Sequence, residues 1–127
     1  MHGNPYCLGN GKSDGWTISS TEITALDHCN VGFLLLSSCN AGHVSHATSN
    51  PANAFSGVIS GTVYACDGTV YFRKKSISRK SFYEAIDDDD FRQYLPEGST
   101  RDPVGWVSYY GGKGIHSYED SLKFIIK

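Results

Sequence analysis

Cys39 stands where a nucleophile is useful. An apolar run, Val31 to Leu36, ends abruptly in Ser37-Ser38-Cys39-Asn40-Ala41-Gly42. The small residues around the thiol let a substrate backbone approach closely. A cysteine nucleophile needs a base, usually histidine, to raise its thiolate fraction. His2 is the candidate by position. A loop, a helix and a strand separate it from Cys39, which is one crossover unit. With a strand leading into His2, both residues stand at the carboxyl ends of neighbouring parallel strands and face one cleft. Gly3, next to His2, offers a backbone N–H to an oxyanion. His43 lies close enough in sequence to Cys39 to act as a substitute base. Cys39, His43 and His46 also form a C-x3-H-x2-H cluster. No second cysteine pair accompanies it, and no metal is assigned. The plainer reading of Cys39 is a small buried hydrophobe at a strand end.

The elements that must position these residues alternate. Residues 3–17 are rich in Gly, Asn, Ser and Asp and read as a loop. Ser20 or Thr21 then caps a short helix over about 20–29, with Glu22 in its first turn. "VGFLLLSS" is apolar without alternation, which fits a strand covered on both faces. Asn50 before Pro51 opens a second helix over about 51–60. "GTVYACDGTVYF" holds strand-like runs at 62–66 and 69–73 around Asp67-Gly68, a strong hairpin signal. A third helix is expected over 78–95, with the aspartates 87–90 as a solvated face or a helix break. "VGWVSYYGG" is an aromatic strand and a glycine turn, and "YEDSLKFIIK" reads as a helical turn plus a strand. Trp16, Trp106, Tyr109 and Tyr110 read as core or sheet-edge aromatics, with a sugar- or peptide-binding face as the alternative.

With 127 residues the chain has room for one domain with a modest core. A net charge of −2 supplies no broad basic surface, which argues against nucleic acid and anionic membranes as partners. The apolar run is too short to span a bilayer. The opening residues have neither a basic start nor an apolar segment, so no signal peptide is expected. The four cysteines would permit two disulfides in three pairings, but a cytoplasmic chain with reduced thiols is the preferred reading.

His-Gly, a loop, a short helix, an apolar strand and then small-Cys-x-x-Gly resemble the caspase-like cysteine peptidases of the CHAT and separase type. In that family the strand typically ends in Ser-Ala-Cys-x-x-Gly, where this chain has Ser37-Ser38-Cys39-Asn40-Ala41-Gly42. The helix "NPANAFSGVIS" and the strand "VYACDG", ending in an acidic residue, continue the likeness, which covers about residues 2–72. The resemblance implies an α/β fold with a mostly parallel sheet flanked by helices, carrying here an antiparallel hairpin near 62–73. The chain is then a single α/β domain over 1–127, or the C-terminal portion of a larger caspase-like domain.

The resemblance also implies roles. Cys39 is the nucleophile, His2 the general base, and the backbone amides of Gly3 and Cys39 the oxyanion hole. Asp67 is a wall of the pocket that receives a basic side chain before the cut, although an Asp-Gly turn accounts for it equally. The substrate is a peptide or protein, and no cofactor is required. The family's sheet has strands ahead of the His-Gly. An upstream segment, the "FIIK" run or a partner chain would supply them. Two other functions share these residues: an inactive or truncated interaction module binding through residues 104–118, and a thiol deamidase or acyltransferase.

Overall fold

The computed structural model describes residues 2–10, 15–36, 38–71, 92–94 and 104–119. The first stretch, expected as loop, forms strands. β1 (His2–Gly3), β2 (Cys7–Gly9) and β3 (Thr17–Ser19) make a three-stranded antiparallel sheet in that order. The turn between β1 and β2 is built by Asn4, whose Oδ1 accepts from the N–H groups of Tyr6 at 2.8 Å and Cys7 at 2.9 Å. This is the local side-chain turn that asparagine favours. The last residue of β3 doubles as a helix cap. Ser19 Oγ accepts from Glu22 N–H while the Glu22 carboxylate accepts from Ser19 N–H, a capping box for α1 (Ser20–Thr24). The expected helix over 20–29 is thus cut to its first turns.

β4 (Phe33–Leu36) follows, then a single 3-10 turn (Val44–His46) and α2 (Pro51–Val58). Asn50 caps α2 and Pro51 occupies its first turn, as expected from the sequence. α2 ends where Ile59 turns extended and forms a parallel bridge to Cys29.

The main sheet has the order β4, β5 (Thr62–Asp67), β8 (Gly105–Tyr110), β9 (Ile115–Glu119). β4 pairs with β5 in parallel, from Phe33 opposite Thr62 to Leu36 opposite Ala65. β5 pairs antiparallel with β8, and β8 antiparallel with β9. The α/β class therefore stands, but the sheet is mixed rather than mostly parallel. The hairpin expected at 62–73 does not form either. β6 (Thr69–Tyr71) pairs with β7 (Arg92–Tyr94) instead of with β5. The reason is geometric: β4 holds one edge of β5 and β8 holds the other, so no edge is left for β6. β7 also replaces the C-terminal end of the helix expected over 78–95; the rest of that helix, the aspartates and "FIIK" lie outside the described residues.

The core lies between the main sheet and α2. Leu36, Val63, Ala65, Val107 and Tyr109 from the sheet meet Ala52, Ala54 and Val58 from α2. Ile23 of α1 and Leu8 of β2 join the same cluster. The small antiparallel sheet is thereby fastened beside the end of β4 rather than trailing from it.

Candidate active site

Cys39 lies just past the last parallel rung between β4 and β5, half-buried and not in a disulfide. The Cys-x-x-Gly spacing has a physical reading at each position. Asn40 sits in the left-handed region with φ 57°, which a short polar side chain tolerates. Its N–H donates to the Gly68 carbonyl at 2.6 Å. Ala41 is sealed in the core. Gly42 presses on β5: a Cβ there would come within 2.9 Å of the Ala65 Cβ and 3.0 Å of the Ala65 carbonyl oxygen. Only a residue without a side chain lets the loop fold back onto the strand.

The other half of the motif arrives from β1. His2 stands opposite Gly9 and Gly3 opposite Leu8 in the small sheet. Gly3 lies directly on the Cys39 turn. A Cβ on Gly3 would fall 2.7 Å from the Cys39 carbonyl oxygen and 3.0 Å from Ser38 Oγ. The structure thus brings Gly3 against Cys39, with His2 the adjoining residue of the same strand. The route differs from the one expected, because β1 belongs to an antiparallel sheet and is not a neighbouring parallel strand of β4.

Two buried polar atoms flanking Cys39, Ser38 Oγ and Asn40 Oδ1, have no hydrogen-bond partner among the described residues. Such orphans cost about 1–3 kcal/mol each and collect at sites where stability yields to another demand. The neighbouring thiol, Cys66, is fully buried. Burial pushes its pKa well above the ordinary thiol range, and the charges of Cys39 and Asp67 push it further. Cys66 therefore stays a neutral thiol close enough to Cys39 to feel its charge.

Asp67 is fully buried at the end of β5. Its Oδ1 accepts from Val44 N–H at 3.1 Å and its Oδ2 from Val104 N–H at 3.0 Å. The carboxylate ties the segment after Cys39 to the start of β8. His43, expected as a substitute base, caps the 3-10 turn with its ring, Nδ1 accepting from Ser45 N–H at 3.2 Å. That bond leaves the neutral ring's proton on Nε2. The His43 and His46 rings lie 5.0 Å apart, and Tyr6 packs edge-on against His46 at 4.9 Å. Among the described residues, no three His, Cys, Asp or Glu side chains converge on a point that a metal ion would occupy.

Comparison with protein-family models, curated proteins and solved structures gives no match. Function must therefore be argued from the site itself.

Sequence reasoning missed the residues that hold the loop. Tyr109, read as a core aromatic, is fully buried, and its hydroxyl donates to the Gly42 carbonyl at 2.8 Å. Asn50, read only as a helix cap, also donates from Nδ2 to the His43 carbonyl at 3.1 Å and to the Tyr109 hydroxyl at 2.9 Å. The Asn-Pro signal pointed to the cap, but nothing local to Tyr109 pointed to the loop. Residues 104–118 also differ from a continuous aromatic face. Trp106 and Tyr109 are buried, while Tyr110 and Tyr118 are exposed.

Proposed function

We propose that this chain is a cysteine peptidase-like domain in which Cys39 is the nucleophile and His2 the general base. One observation carries the reading: the His2–Gly3 strand lies on the Cys39 turn, so two motif halves distant in sequence meet at one place. The orphaned polar atoms beside Cys39 and the tightly pinned loop add support.

In the proposed reaction the His2 imidazole takes the Cys39 proton, and the thiolate attacks the carbonyl carbon of a peptide bond. Backbone N–H groups of Gly3 and Cys39 steady the oxyanion. The imidazolium returns its proton to the leaving amine as the C–N bond breaks, leaving a thioester on Cys39. Water, deprotonated by His2, then attacks the thioester, releasing the acid and restoring the thiol. No metal or other cofactor enters these steps. The substrate is proposed as a peptide or protein, with cleavage after a basic side chain beside Asp67 as the specificity that a peptide library tests.

The test is alkylation of the intact protein by iodoacetamide across pH, with each cysteine followed by peptide mass spectrometry, beside His2→Ala. The expected result is fast reaction of Cys39 below neutral pH that disappears in the variant. The reading fails if Cys39 reacts no faster than the exposed Cys29 and His2→Ala changes nothing; a non-enzymatic interaction domain would then be the better account. If the dyad is present, a peptide library separates cleavage from deamidation, which shares the thioester.

A further inference from the structure

We propose that Tyr109 and Asn50 are positioning residues for Cys39, holding the loop after it in the one conformation that presents the thiol to its base. The proposal rests on the peptidase reading and names what aligns the proposed site.

The loop carries three successive peptide groups, each fastened on both sides. The carbonyls of Ala41, Gly42 and His43 turn toward α2 and β8. They accept from Ala52 N–H at 3.0 Å, Tyr109 O–H at 2.8 Å and Asn50 Nδ2 at 3.1 Å. The N–H groups of the same peptides are used on the other side. Gly42 N–H donates to the Cys66 carbonyl at 2.9 Å, His43 N–H to the Asn40 carbonyl at 3.1 Å, and Val44 N–H to Asp67. Among the described residues, the carbonyl of the middle peptide, between Gly42 and His43, is held by a side chain, the Tyr109 hydroxyl.

The direction of those bonds is fixed by counting donors. An amide side chain has two N–H donors. Asn50 uses its NH2 on the His43 carbonyl and the Tyr109 hydroxyl, while its Oδ1 accepts from Asn53 N–H at 2.8 Å. The hydroxyl, already accepting from Asn50, has one proton, and Gly42 receives it. Both side chains are fully buried, so water offers neither a substitute partner. Burial also holds the phenol protonated far above its ordinary range, although the Asn50 hydrogen bond opposes the shift. Tyr109 belongs to an inner strand of the main sheet, so its hydroxyl is a fixed post for a loop whose other end rests on Gly3.

The ring of Tyr109 supports the core, and its hydroxyl bonds to the Asn50 amide and the Gly42 carbonyl. Tyr109→Phe keeps the ring and deletes that contact. Asn50→Asp keeps an oxygen to cap Asn53 and removes both donors. The experiment measures the pH profile of Cys39 alkylation in the full chain, with Cys29 as internal reference and the thermal midpoint followed in parallel. The expected result for either folded variant is a Cys39 rate below neutral pH lowered about three- to tenfold, the rate equivalent of one hydrogen bond's net contribution, with Cys29 unchanged. A folded Tyr109→Phe whose Cys39 profile superimposes on the parent's overturns the positioning role while leaving the peptidase reading intact. A parent protein whose Cys39 reactivity does not depend on His2 overturns both. Should Asn50→Asp not fold, Tyr109→Phe decides the question alone.

Discussion

Gly3 is the residue on which the site turns, because its missing side chain is what lets β1 rest on the Cys39 carbonyl. Gly3→Ala places a methyl group 2.7 Å from that oxygen, and the obstacle is backbone. The expected outcome is a loss of about 1–3 kcal/mol by overpacking, read in urea unfolding. A fall of about ten- to a hundredfold in Cys39 alkylation below neutral pH should accompany it, since a shift of about 1 Å at a reacting pair costs that much. A folded variant with the parent's rate would show that contact between the two motif halves is incidental. Ser38 makes the opposite case. Its hydroxyl is buried and has no partner among the described residues, so Ser38→Ala is expected to stabilise the fold by about 1 kcal/mol, which a shift in the urea midpoint would reveal. A loss of stability would instead show that the hydroxyl has a partner in solution. The place of Cys39 at a strand end was legible in the sequence because it is local, but the left-handed turn at Asn40 and the close approach of Gly42 to Ala65 were not. The bonds from Asp67 to the Val44 and Val104 N–H groups were not legible either, because only the fold brings those residues to it.

At the scale of elements, the signals that held were the short-range ones. Asn50-Pro51 marked the start of α2 correctly. The capping box of α1 was also written in the chain as Ser19-x-x-Glu22. Three hydroxyl residues in a row, Ser19, Ser20 and Thr21, blurred its frame, so that the cap was placed on Ser20 or Thr21 rather than Ser19. What failed was pairing. Asp67-Gly68 is a strong hairpin dipeptide, and Gly68 does take a positive φ of 112°. A turn can only join strands when an edge is open, however, and β5 has none. The aromatic strand far along the chain takes that edge, and its Val107 and Tyr109 are buried in the core. The small antiparallel sheet was invisible for a different reason. Its strands are two or three residues long, and its glycines and asparagines follow turn chemistry rather than alternation.

At the scale of the whole molecule, alternating helices and strands pointed to the α/β class, and the class is right. The order of strands within the sheet, set by contacts remote in sequence, was beyond that pattern. The resulting core encloses two groups whose titration burial suppresses, and this gives the entire fold a pH signature. Burial, the charge of Cys39 and that of Asp67 raise the Cys66 pKa, and burial raises that of Tyr109. In the unfolded chain a thiol releases its proton near about pH 8.5 and a phenol near about pH 10. The folded protein keeps both protons, so above those values it binds more protons than the unfolded chain. Stability must then fall as pH rises. The contribution is complete below about pH 8.5, starts to decline there as unfolded Cys66 ionises, and steepens near about pH 10 as Tyr109 joins. Urea unfolding at a series of alkaline pH values should show this decline. Cys66→Ala should remove its first part and leave the second, which Tyr109→Phe should remove in turn. A parent protein whose stability is flat between about pH 8 and 10 would mean that Cys66 ionises as readily folded as unfolded, and the close packing of β5 beneath the Cys39 loop would have to be reconsidered.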